Sequence, residues 1–125
     1  MKVTLLLLVL IAFVIYACTT QTAQGNFTNI DVAAFKEKMS DSSVVILDVR
    51  TPTEVAAGKI AEAQVIDIKG GQFAQQIQQL DTTKTYLVYC RSGRRSAKAC
   101  SLMEQAGFEK LYNLKGGYLA WKKAN

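Results

Sequence analysis

The alternation of short apolar runs with helical stripes constrains the fold of this chain more than any other feature. Residues 44–47 and 86–89 are continuous apolar or aromatic runs, as expected for strands that are buried on both faces. Residues 64–68 and 110–114 are two further strand candidates. Helical patterns separate these runs, and strands that alternate with helices predict an α/β fold: a parallel sheet with helices on both faces.

The helical segments carry recognisable start and stop signals. Asp31 is a suitable N-cap for a helix whose apolar residues Val32, Phe35 and Met39 share one face. Residues 51–54 predict a helix start, with Thr51 as N-cap, Pro52 in the first helical position and Glu54 completing a capping box. The other predicted helical segments are residues 73–80, residues 96–106 before Gly107, and a last turn from Gly116-Gly117 through Trp121.

The first 17 residues have the pattern of an export signal. A positive start, Met1-Lys2, precedes residues 3–17, which are almost wholly apolar but short for a membrane span. The Ala17-Cys18 junction resembles the bacterial lipoprotein cleavage box, which implies cleavage before Cys18 and diacylation of its thiol. Ordinary cleavage and an uncleaved anchor are the alternatives. We therefore expect a signal peptide (1–17), a lipidated tether (18–27) and one domain (28–125), lipid-anchored in the bacterial cell envelope and facing the periplasm.

Charge and residue usage exclude several classes of function. The net charge is +5, but only Arg91, Arg94 and Arg95 are clustered, which is too compact for nucleic-acid binding and suits one small anion. The chain has no His, so catalysis by Cys-His or Ser-His-Asp groups is excluded. Its three cysteines have no CxxC spacing. We expect no metal and no cofactor.

Cys90 is the predicted chemical centre. It follows an apolar strand and precedes a helix, and ligands of parallel sheets bind beyond the carboxyl ends of the strands. Residues 90–95 can curl so that backbone N–H groups point inward, aided by Gly93, and the next helix adds its N-terminal partial charge. These groups and the arginines favour a thiolate. The alternative is an ordinary buried cysteine followed by a basic surface turn.

Four stretches of the chain together resemble the rhodanese family over residues 28–123. They are LDVRTPTEVAAGKI (47–60), YCRSGRRS (89–96), AKACSLMEQAGF (97–108) and LKGGYLAW (114–121). The usual His of the first stretch is Lys59 here, and the usual Pro two residues on is Ala61. The resemblance implies a five-stranded parallel α/β sheet and an active-site loop that begins with a nucleophilic cysteine.

The same resemblance implies a reaction and a set of site residues. Cys90 would attack the outer sulfur of thiosulfate or a similar anionic donor, form a persulfide, and pass the sulfur to a thiol or cyanide acceptor. The related phosphatases use a longer Cys-x5-Arg loop, whereas Arg95 lies at Cys-x4-Arg here, which favours sulfur over phosphate. The residues predicted to bind the donor are Arg91, Ser92, Gly93, Arg94, Arg95 and Ser96.

Four other residues have a structural and a functional interpretation. Asp48 and Arg50 end a strand and could face the same rim as Cys90, although we favour an Arg50–Glu54 pair that pins the capped turn. Cys100 lies on the helix after the loop, where buried packing is favoured over a role as resolving thiol for Cys90. Tyr118 and Trp121 are predicted core residues, with the site mouth as the alternative.

Three hypotheses of function follow. The first is a thiosulfate-type sulfurtransferase, acting as a monomer without nucleic acid and held at the membrane through lipid on Cys18. The second is a persulfide carrier or anion-binding module that serves a protein partner and turns over poorly. The third is a phosphatase or arsenate reductase, against which the loop length argues.

Overall fold

The computed structural model of the protein describes residues 26–125. The predicted signal peptide, Cys18 and most of the predicted tether lie outside the described residues. Within residues 26–125, five strands alternate with five helices. In chain order they are β1 (Thr28–Ile30), α1 (Val32–Met39), β2 (Val45–Asp48), α2 (Pro52–Ala56), β3 (Gln64–Val65), α3 (Phe73–Ile77), β4 (Thr85–Tyr89), α4 (Arg94–Gln105), β5 (Lys110–Leu114) and α5 (Gly117–Lys123).

The strands form one parallel sheet in the order β1-β5-β4-β2-β3. Strand β4 is central, and Asp48 of β2 is paired in register with Tyr89 of β4. All carboxyl ends of the strands therefore lie at one edge of the sheet, where Cys90 follows β4. The predicted α/β class and the parallel five-stranded sheet are confirmed.

The pleat of the sheet divides the core into two clusters. Tyr86, Val88 and Cys90 face the side that α3 and α4 cover, whereas Leu87 and Tyr89 face the side that α1 and α5 cover. Successive residues of a strand point to opposite faces, so this alternation is what a strand buried on both sides requires. Cys90 and its neighbour Tyr89 thus belong to opposite layers.

The predicted caps at both early helices are confirmed. The Asp31 side chain accepts a hydrogen bond from Ala34 N at 2.9 Å and caps α1. Thr51 and Glu54 form the complete capping box of α2, with Pro52 in its first turn. Both caps involve residues three positions apart, and this is why local sequence was enough to predict them.

Several element boundaries differ from the predictions. Strand β1 was not predicted from its own residues, because three residues carry too little pattern. The predicted strand 64–68 is regular only over Gln64–Val65, although Ile66 and Ile68 still donate backbone hydrogen bonds to residues 48 and 49. Helix α4 begins at Arg94, two residues before the predicted start, because Gly93 in a left-handed conformation (φ 97°) is its N-cap.

None of the helices in residues 26–125 is both long enough and apolar enough to span a membrane.

Candidate active site around Cys90

The thiol of Cys90 lies at the start of the turn that joins β4 to α4. The residue is fully buried, at 0% exposure. Gly93 donates a backbone hydrogen bond to Cys90 Sγ at 3.1 Å, and the Ser96 hydroxyl donates another at 3.3 Å. Ser96 is itself buried, on the first turn of α4. The turn therefore curls around the Cys90 sulfur with hydrogen-bond donors pointing inward, as the sequence predicted.

These donors change the acidity of the thiol. Burial alone would raise the pKa of Cys90, because it penalises the charged form. The hydrogen bonds from the Ser96 hydroxyl and from the backbone N–H groups of Ser96, Ser92 and Gly93 outweigh burial, so the pKa lies below that of an ordinary cysteine. A thiolate is the nucleophilic form of cysteine, and this turn favours it without any imidazole.

Helix α5 holds the backbone of the turn from one side. Tyr118 N donates to the Cys90 carbonyl at 2.8 Å, and Leu119 N donates to the Arg91 carbonyl at 3.1 Å. Gly117 lies directly against this segment, since a Cβ there would be 2.6 Å from the Cys90 carbonyl oxygen. From β5, Asn113 Nδ2 donates to the Gly93 carbonyl at 3.1 Å. Strand β5 and helix α5 thus keep the ring in its curled form.

Arg95 makes a bidentate ion pair with Glu54 of α2. Arg95 Nη1 lies 2.8 Å from Glu54 Oε2, and Nη2 lies 2.7 Å from Oε1. These hydrogen bonds lower the pKa of Glu54 to about 2, so its carboxylate is charged at neutral pH. The structure therefore places Arg95 in the first turn of α4 with both terminal nitrogens bound. Arg91 and Arg94 are exposed, which leaves them available to solution anions.

Asp48 and Arg50 do not lie on the rim with Cys90. Both are buried, at 0% and 3% exposure, and they form an ion pair at 2.8 Å. Asp48 also accepts a hydrogen bond from the Tyr89 hydroxyl at 2.6 Å. The rim prediction was wrong because Asp48 pairs in register with Tyr89 and shares its face, which is opposite to that of Cys90.

The predicted side-chain pair between Arg50 and Glu54 was also wrong. Arg50 directs Nε and Nη2 at the Asp48 carboxylate, donates to the Gly58 carbonyl at 2.7 Å, and reaches only the backbone carbonyl of Glu54, at 3.5 Å. Its guanidinium lies 4.2 Å from the centre of the Tyr118 ring. Arg50 therefore links the buried Asp48 carboxylate to the backbone at the end of α2 and to the Tyr118 ring of α5, without pairing with the Glu54 carboxylate.

Cys100 is buried in the core cluster between the sheet and α4, as predicted. Burial raises the pKa of its thiol to about 12, so it remains protonated at neutral pH. Cys90 and Cys100 are both free thiols. Tyr118 and Trp121 are partly buried and pack against the other core cluster, the first stacked on Tyr89 and the second edge-on to Phe35.

Two long-range contacts, one beside the Cys90 turn and one on the opposite face of the sheet, were not found from the sequence. Glu54 was assigned to the capping box alone, yet it also binds Arg95, which lies 41 residues away in the chain. Tyr89 was assigned only to its strand, yet its hydroxyl joins the buried Asp48–Arg50 pair. Both contacts join residues 41 positions apart, so no local pattern in the sequence indicated either of them.

The fold and the turn define a class of protein. A parallel sheet that carries a cysteine after its central strand, in a ring of backbone donors at a helix N-terminus, can stabilise a thiolate and form a covalent intermediate on it. Residues 31–124 match the family model of the rhodanese-like domain. This chain belongs to the rhodanese-like family.

Individual relatives agree with this assignment. A putative sulfurtransferase, YtwF, of Bacillus subtilis is 39% identical over 94 residues, which cover 74% of this chain and 88% of that protein. A sulfurtransferase of Allochromatium vinosum is 32% identical, covering 75% and 87% of the two chains. The crystal structure of a rhodanese-related protein from Thermoplasma volcanium superposes with a TM-score of 0.70 at 29% identity, covering 79% of this chain and 94% of that one. These names support rhodanese-type sulfur transfer as the general chemistry of the family.

Proposed function

We propose that this protein is a sulfurtransferase that moves sulfane sulfur from thiosulfate or a similar donor to a thiol or cyanide acceptor. The observation that carries the proposal is the Cys90 sulfur itself, which accepts hydrogen bonds from Gly93 N and Ser96 Oγ at 3.1 and 3.3 Å. These donors would stabilise the thiolate before attack and again when it leaves the persulfide.

The first half of the reaction loads sulfur onto the enzyme. The Cys90 thiolate attacks the outer sulfur of thiosulfate and forms a new S–S bond. The original S–S bond breaks, and its electron pair leaves with sulfite, so the enzyme holds a persulfide and the total charge is unchanged. Thiosulfate carries two negative charges, and the exposed Arg91 and Arg94 would draw it toward the site.

The second half passes the sulfur on. A thiolate or cyanide attacks the outer sulfur of the Cys90 persulfide, and the S–S bond breaks with its electron pair returning to Cys90 Sγ. The products are a new persulfide or thiocyanate and the original thiolate. The donors from Ser92, Gly93 and Ser96 would stabilise the returning Cys90 thiolate as they did before the first attack.

Mass spectrometry of the protein after incubation with thiosulfate tests the proposal. We expect one additional sulfur atom on Cys90 and its removal by cyanide with release of thiocyanate. Cys90→Ser should remain folded and gain no sulfur, and Cys100→Ala is the matched control that should still be loaded. Sulfur uptake by Cys90→Ser would refute the assignment.

The complete burial of Cys90 supports a second candidate, a persulfide carrier that serves a protein partner. A persulfide kept below the surface would survive until a partner opened the turn. Rapid turnover of thiosulfate with cyanide favours the enzyme, whereas stoichiometric loading followed by slow release to cyanide favours the carrier.

We further propose that the protein is exported to the bacterial cell envelope and anchored through lipid on Cys18. The support is the apolar run of residues 3–17 and the Ala17-Cys18 junction. Radiolabelled fatty acid should label the wild type and not Cys18→Ala in a bacterial host, and equal labelling of the two would refute the anchor.

A further inference from the structure

The Glu54–Arg95 ion pair changes what Arg95 offers to a substrate. Glu54 binds both terminal nitrogens of the guanidinium, at 2.8 and 2.7 Å, so a sulfonate group cannot take that edge without displacing a carboxylate. The two side chains are only 21% and 25% exposed, and ion pairs of this kind are screened less than pairs in open solution. Glu54 is further fixed by Thr51, whose N–H and hydroxyl donate to Oε2 at 3.0 and 2.9 Å.

The charges around Arg95 do not favour a second negative charge beside Cys90. The pKa of Arg95 is raised by the hydrogen bonds with Glu54, against burial, and then by the negative charges of Glu54, the Cys90 thiolate and Asp67. One fixed cation thus faces three anions. Arg91 and Arg94 balance part of this charge, but they are exposed and solvated, so their attraction is screened by salt.

We propose that Glu54 is a specificity-determining residue that makes the site prefer a singly charged sulfane-sulfur donor over the dianion thiosulfate. This inference rests on the proposed function and narrows its donor. The class comprises thiosulfonates and persulfides, whose reacting sulfur is attached to a group with no second charge. For a thiosulfonate, the Cys90 thiolate attacks the outer sulfur, the S–S bond breaks, and the electron pair leaves with a sulfinate.

Two donors of nearly equal shape isolate the effect of charge. Methanethiosulfonate differs from thiosulfate by a methyl group in place of one charged oxygen, so it carries one charge instead of two. We expect the wild type to have the higher kcat/KM with methanethiosulfonate at low salt. Glu54→Gln should move the ratio of the two kcat/KM values toward thiosulfate by about 3- to 10-fold, the effect of one charge several ångströms away at intermediate dielectric. The shift should shrink at high salt.

Two further variants keep the test decisive. Glu109→Gln removes the same charge at the opposite edge of the sheet, just before β5, and should leave the ratio unchanged. Asp67→Asn removes a charge near Arg95 without touching the capping box and should move the ratio in the same direction as Glu54→Gln. Asp67→Asn therefore takes the place of Glu54→Gln in the test if Glu54→Gln does not fold.

The possible outcomes separate this inference from the proposed function. If Glu54→Gln and Asp67→Asn lower kcat/KM for both donors by the same factor, Glu54 only positions the loop and the inference is wrong. A wild type that prefers thiosulfate would also overturn it, while leaving sulfur transfer intact. If neither donor places sulfur on wild-type Cys90 by mass spectrometry, the proposed function itself fails.

Discussion

Gly117 packs so closely on Arg91 that a Cβ at this position would lie 2.5 Å from the carbonyl carbon and oxygen of Arg91. This contact allows the first turn of α5 to hold the Cys90–Arg91 backbone through the N–H groups of Tyr118 and Leu119. Gly117 also has φ 59°, a conformation that side chains disfavour. The glycine is therefore required both by its conformation and by the close approach of two backbones.

Gly117→Ala should destabilise the protein by about 2 to 4 kcal/mol, from backbone strain plus steric overlap, and should reduce sulfur transfer because the turn loses its support. Gly71→Ala is the matched control, since Gly71 has φ 79° but no atom within 4 Å of its Cβ position. Gly71→Ala should lower the free energy of unfolding by the backbone strain alone, about 1 to 2 kcal/mol. If urea denaturation showed the same decrease in the free energy of unfolding for Gly117→Ala and Gly71→Ala, the steric argument would be contradicted.

Ser96→Ala should move the activity profile to higher pH. The Ser96 hydroxyl hydrogen bond lowers the pKa of Cys90 by favouring the thiolate, so its removal raises that pKa and reduces the thiolate fraction at neutral pH. The acidic limb of kcat/KM against pH should therefore shift upward. Ser92→Ala is the control, because Ser92 acts through its backbone N–H. Superimposable profiles for the two variants would show that the hydroxyl has no such role.

The three arginines should differ in kinetics. Arg95→Ala should raise KM and lower kcat, because Arg95 is held beside the Cys90 turn by Glu54 and supports the loop. Arg91→Ala and Arg94→Ala should mainly raise KM, and increasing salt should weaken the effect, because both side chains are exposed. Steady-state kinetics at low and high salt checks this. Near-wild-type values for all three would leave the backbone donors as the whole anion site.

Arg50→Met should be strongly destabilising, by about 3 to 5 kcal/mol, since it leaves the buried Asp48 carboxylate without its cation. The double variant Arg50→Met/Asp48→Asn should recover part of that loss, because no charge is then left buried. Urea denaturation of both single variants and the double variant gives the coupling energy. A loss below about 1 kcal/mol for Arg50→Met would mean that the pair behaves like an exposed one.

Cys100→Ala should keep activity near the wild-type level and cost on the order of 1 kcal/mol, the effect of a small truncation in the core. In the wild type, burial raises the pKa of the Cys100 thiol to about 12 and keeps it protonated, so Cys100 should not attack a Cys90 persulfide. Thermal or chemical denaturation and turnover measure the two effects. Lost turnover together with a Cys90–Cys100 disulfide in the wild type would instead assign Cys100 as a resolving thiol.

Local sequence determined the features that depend on neighbouring residues. The capping box of Thr51 and Glu54 was predictable because its partners are three residues apart. The position of Cys90 after a buried strand and before a helix was predictable because an apolar run leads directly into a turn rich in glycine and arginine. The parallel sheet followed from the alternation of strands and helices.

Tertiary structure decided which charges meet. The Glu54 carboxylate binds Arg95 and not Arg50, because the register of β2 with β4 directs Asp48 and Arg50 toward Tyr89, on the face opposite to Cys90. A shift of one residue in the pairing of a strand moves every one of its side chains to the opposite face of the sheet. The order of charged residues in the sequence does not reveal which face they take. Sequence alone thus determined where the reactive sulfur is. Only the packing of β2, β4 and α2 determined which acidic group accompanies its arginine, because such partners are joined through space across 41 residues of chain.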